Sequence, residues 1–136
     1  WYFFYAGITK VLNPAWSAEG FLRGATMWKD FYALFTAPEI LPFVNVLNSW
    51  GLALIGVALL LGIGMRIAVY SGILLMVLYY FPHENAHSFI TDDHVIISGA
   101  LLVLHLFDAK SVCGMYSPLA RLDVVRKIPL LKKLIN

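Results

Sequence analysis

Trp50–Phe81, WGLALIGVALLLGIGMRIAVYSGILLMVLYYF, holds one formal charge, Arg66, near its middle. Neither half alternates apolar and polar residues as a half-buried strand does; each is a solid block of aliphatic and aromatic side chains. A bilayer core about 30 Å thick takes roughly 20 such residues per helix. The stretch therefore reads as two membrane helices with a tight turn at Arg66, spans over about Phe43–Met65 and Ile67–Phe81. Tyr79, Tyr80 and Phe81 supply an aromatic anchor for the shorter one.

Working outward, Val95–Phe107 (VIISGALLVLHLF) carries no formal charge and predicts a further span over about Asp93–Phe107. At the other end Trp1–Leu12 (WYFFYAGITKVL) is only about half a span. Upstream residues are expected to precede it, and it is not read as a secretory signal, since it lacks a basic leading region and a small-residue cleavage site. The chain of 136 residues is 60% hydrophobic and 13% charged, against roughly a quarter charged in soluble domains. The expectation is a single domain over 1–136: an all-α integral membrane protein, a bundle of four transmembrane helices.

Between spans one and two, Phe21, Ala25, Trp28, Tyr32 and Phe35 recur at helical spacing, with Arg23, Thr26 and Asp30 opposite. This predicts an amphipathic interfacial helix over about Ser17–Phe35, ended by Pro38 and Pro42. Arg66 marks its turn as cytoplasmic, and so do Arg121, Arg126, Lys127, Lys132 and Lys133 for the tail over 117–136. Both termini are then cytoplasmic, and the interfacial helix and the connection from Pro82 to Asp92 face outward. Attraction of the basic tail to anionic lipid is its ordinary reading, and docking onto another subunit the sharper one.

Chemistry gathers in His83–His94, HENAHSFITDDH. Thr91 or Asp92 reads as the N-cap of the last span, with an acid in its first turn. That leaves His94 without a structural reason, and an imidazole beside carboxylates at a membrane surface can relay protons near neutral pH. Asp93 and His94 are therefore the candidate catalytic pair. His83 and His87 stand four apart, but the spacing alone is too weak to make a metal site, so none is assigned. His105 lies about three turns beyond His94, roughly 16 Å away, and cannot share a ligand with it. It belongs near the inner end with Asp108 and Arg66, as an interfacial cluster or an inner quinone site. Lys10, at the outer end of span one, either snorkels or turns inward to pair with Asp93 or Glu19. Cys113 excludes an internal disulfide, being the only cysteine. No dinucleotide loop, phosphate loop, nucleophile turn, CxxCH haem site or multi-cysteine cluster site is present.

As a set, YFFYAGITKVLNPAWSAEGF (2–21), the stretch 50–81 and FITDDHVIISGALLVLHLF (89–107) resemble the DoxX/DoxD family, which includes the small membrane subunit of thiosulfate:quinone oxidoreductase. The resemblance implies a four-helix subunit in a prokaryotic plasma membrane, working with other membrane-protein subunits and lipid, with quinone as the redox partner and no nucleic acid. It directs interest to Lys10, Asn13, Trp16, Arg66, Asp93 and His94, the polar or amphipathic residues inside the matching stretches. The expectation is a quinone-linked oxidoreductase subunit, with His94 and Asp93 in chemistry and Lys10, Trp16, Arg66 and His105 as candidate contacts. The alternatives are a non-catalytic accessory subunit of a larger respiratory or photosynthetic complex and a transporter or metal-handling protein.

Overall fold

A computed structural model of the chain describes residues 1–82 and 92–107. The His83–His87 pair, Thr91, Asp108, Cys113 and the basic tail lie outside the described residues. Those described form helices and turns, with no strand among them: α1 (Tyr2–Val11), α2 (Glu19–Arg23), α3 (Lys29–Leu34), α4 (Leu41–Leu61), α5 (Met65–Tyr80) and α6 (Asp93–Leu106). Among the described residues only α4 is long and apolar enough to cross a membrane; α5 and α6 are shorter apolar helices. Just 28% of the apolar stretch of α4 is buried within the chain, whereas the core helix of a soluble domain is mostly covered. Phe43, Val46, Leu47, Trp50, Leu54 and Leu60 are all exposed along it.

α1 packs antiparallel on α4, and the sequence permits an unusually close approach. A Cβ at Gly7 would overlap the backbone of Ala53, and one at Gly56 would overlap the backbone of Phe4. Close packing of this kind is the main attraction left between helices where lipid replaces water. The turn from α4 to α5 is short because Gly62 (φ 68°) and Gly64 (φ 63°) both take the left-handed conformation, which costs glycine little. α6 returns along α5, with Leu101 against Gly72 and His105 level with Tyr70. Phe3, Leu52, Ile55, Val69, Met76 and Leu101 meet in the core between these helices.

The expected single helix over 17–35 is instead two short ones, α2 and α3. Gly24 closes the first, and Trp28 opens the second in a left-handed conformation (φ 54°). For a bulky residue that conformation costs on the order of 1–2 kcal/mol. Tertiary contacts override the periodicity: the Trp28 ring stacks on Phe81 at 4.6 Å and 10°. The break also lets the segment finish α5, whose last carbonyls have no partner within the helix. Tyr32 Oη donates to Leu78 O at 2.9 Å. Thr26 donates twice to Pro82 O, from its amide and its hydroxyl, at 3.1 Å each. Ala18, Leu22, Ala25 and Tyr32 form a second small core beneath it. Pro42 sits in the first turn of α4, where its missing N–H costs nothing.

Candidate functional site

At the end of the bundle where α1 finishes and α6 begins, five segments bring polar and aromatic side chains together. Asn13 starts the arrangement: its side-chain Oδ1 accepts from the Ala15 amide at 3.1 Å, and its carbonyl accepts from the Trp16 amide at 3.0 Å. An Asx turn with proline at its second position reverses the chain. The reversal sets Trp16 over the last turn of α1, its ring 4.8 Å from Lys10 Nζ. Asn45 of α4 anchors the far side of this loop, accepting from the Ala18 amide at 2.8 Å and donating to Ser17 Oγ at 3.3 Å.

Lys10 is half-buried, and its ammonium donates to Asn48 Oδ1 at 3.1 Å. Asn48 in turn donates to the Tyr79 hydroxyl. The Tyr79 ring lies 5.5 Å from Lys10 Nζ, so two aromatic faces flank one cation. Such contacts contribute about 0.5–2 kcal/mol each, the upper end when desolvated. No carboxylate among the described residues pairs with Lys10; the expected partners lie elsewhere, Glu19 with Arg23 at 2.8 Å and Asp93 exposed on α6. An ammonium has three N–H donors, and one is committed to Asn48.

Tyr79 also carries the arrangement to α6. Its ring meets the His94 ring edge to face at 6.1 Å, and Phe21 packs on it at 5.5 Å. His94 is held by Asp92: one carboxylate oxygen accepts from the His94 amide at 2.8 Å and lies 2.9 Å from His94 Nδ1. Asp92 is the N-cap of α6. Burial pushes the Asp92 carboxyl up, but the amides of His94 and Val95 and the His94 ring outweigh this and hold it below the usual carboxylate range.

Of the residues expected from sequence, Lys10, Trp16 and His94 thus stand in one continuous set of contacts, with Asn13 shaping the turn beneath them. The acid that touches His94 is Asp92, one residue before the expected Asp93. Asn48 and Tyr79 join the site without having been singled out, Tyr79 having been read only as an anchor. Their signal was the pair of amides Asn45 and Asn48 inside an apolar block and the tyrosine one helix away. Arg66 is exposed at the start of α5, at the opposite end of the bundle. His105 is also at that end, its Nε2 3.2 Å from the Tyr70 hydroxyl and the rings 5.2 Å apart. Among the described residues no three His, Cys, Asp or Glu side chains gather as a metal ion would need.

The described residues define an all-helical bundle in which one helix is fit to cross a membrane, with a lysine, amide, tyrosine and histidine cluster at one end. The chain matches no family model, no curated protein and no solved structure.

Proposed function

We propose that the chain is a multi-pass, four-span membrane subunit of a quinone-linked oxidoreductase, in the manner of the DoxX/DoxD family that its sequence resembles. The observation that carries the reading is the Lys10, Trp16, Asn48, Tyr79 and His94 cluster. A flat ligand with oxygen atoms on its rim suits two aromatic faces around an ammonium that keeps N–H donors to spare. Quinone, when bound, supplies the electron-accepting chemistry. The chain's part is to orient it: in this reading Lys10 and Asn48 would present polar groups to a rim oxygen, Trp16 and Tyr79 would flank the ring, and His94, reached through Tyr79, would handle a proton. An apolar groove of about 640 Å³ between α4 and α5 includes Leu47 and Leu78, the sequence neighbours of Asn48 and Tyr79. Its size and lining suit the tail of a lipophilic ligand.

By the distribution of lysine and arginine, the Arg66 turn faces the cytoplasm and the cluster faces outward. The partner subunit brings the electrons, with a reduced sulfur compound of the thiosulfate class as donor. The test is quinone reduction by the reconstituted complex given that donor. His94→Ala is expected to lower turnover while leaving helix content unchanged. Normal turnover in that variant removes His94 from the mechanism.

The exposed apolar face of α4 favours one second reading, an accessory subunit whose α4 packs against a larger complex. In that case deletion of the chain lowers the amount of assembled complex and leaves turnover per assembled complex intact.

A further inference from the structure

We propose that Asp92 is the positioning residue of this site: its carboxylate fixes the neutral His94 imidazole in the tautomer protonated at Nδ1. Nε2 is then the nitrogen that takes up a proton and gives it back.

The argument starts from what a carboxylate can do. Ionised, it only accepts hydrogen bonds, so an Asp92 oxygen 2.9 Å from His94 Nδ1 requires a proton on that nitrogen. In a neutral ring the other nitrogen, Nε2, then carries the lone pair. The histidine side chain in water prefers the opposite arrangement, with its proton on Nε2, so the tautomer here is imposed by the protein.

Two features keep the carboxylate in place. The same oxygen accepts from the His94 amide at 2.8 Å, so the helix cap and the ring are held by one atom. The two side chains are only 22% and 18% exposed, which limits competition from water. The nearby Ser98 hydroxyl is engaged elsewhere, donating back one turn to the His94 carbonyl at 2.7 Å. From α5 the ring meets Tyr79, whose hydroxyl accepts from Asn48. Asp93, although adjacent in sequence, is exposed.

Only the use made of the proton depends on the proposed quinone reaction; the tautomer does not. The experiment is therefore a measurement on the chain by itself, without quinone or partner. The full chain, labelled with ¹⁵N-histidine in detergent micelles, is examined by two-bond ¹⁵N–¹H correlation at a pH where imidazole is neutral, with His94 assigned by its loss in His94→Gln. The wild type is expected to show His94 protonated at Nδ1. Asp92→Ser keeps an oxygen that can cap the helix but removes the carboxylate, and the ring is expected to revert to the Nε2-protonated form with helix content unchanged. Asp93→Ser is expected to leave the tautomer as it is.

A wild-type ring protonated at Nε2 overturns the proposal, whether or not the serine variant folds. Retention of the Nδ1 form in a folded Asp92→Ser overturns it equally. Absence of quinone reduction with the Nδ1 tautomer in place defeats the functional reading and leaves this one standing.

Discussion

Gly7 on α1 rests directly on the backbone of Ala53 on α4, with no room for a single added carbon. Gly56 stands in the same relation to Phe4 one turn away along the interface. Gly7→Ala and Gly56→Ala are therefore expected to push the helices apart, each costing about 1–3 kcal/mol as overpacked cores do. At Gly99 nothing lies within reach of a Cβ, and alanine there should be neutral or stabilising by up to about 1 kcal/mol. Thermal unfolding in detergent ranks the three; equal effects at all positions would show that the α1–α4 approach is not what the glycines serve.

Tyr32 finishes α5 from outside by donating to the Leu78 carbonyl. Tyr32→Phe keeps the ring and leaves that carbonyl unpaired, for an expected loss of about 1–2 kcal/mol. Thr26→Val removes only one of two donors to Pro82 and should cost less. Chemical denaturation of both variants checks the order.

Lys10→Met replaces the ammonium with an apolar chain of similar length. On the proposed function it should raise the quinone KM by roughly 10- to 150-fold, the equivalent of the ~1.5–3 kcal/mol that a hydrogen bond from a charged donor contributes. An unchanged KM would separate Lys10 from ligand binding and leave it as a packing residue.

Acid dependence follows from Asp92. Its carboxyl is held below the usual range in the folded chain, so its contribution is complete above the unfolded value near ~3.9 and is lost as pH falls through the lower folded value. The stability difference between wild type and Asp92→Asn is expected to be constant at neutral pH and to shrink below about pH 4. A difference that stays the same down to strongly acid pH would mean that the charge on Asp92 contributes nothing to folding.

The apolar helices were legible in the sequence because each is a block without charge: the expected spans 43–65, 67–81 and 93–107 lie close to α4, α5 and α6. The connection over 17–35 was not. Its apolar spacing suits one helix, and only the stacking of Trp28 on Phe81 and the carbonyls left open at the end of α5 break it in two, contacts that exist only once the chain is folded. The site divides in the same way. Lys10, Trp16 and His94 stood out as polar or amphipathic residues in apolar surroundings, and contacts through Tyr79 link all three. Asn48 was hidden because an amide inside an apolar block announces no chemistry until a lysine and a tyrosine are set beside it. Asp92 was read as a possible cap and Asp93 as the site acid, whereas the cap oxygen itself reaches the ring.

Lys10, Trp16, Asn48, Tyr79 and His94 come from five successive parts of the chain, and His94 belongs to the last described helix to emerge during synthesis. Because chains are made from the amino end, α1, α4 and α5 are made while the cluster still lacks its histidine. On the proposed function, competence to handle a proton arrives only with α6, so a product truncated before it would be chemically silent, and ligand binding at the cluster would report that the whole bundle has been made.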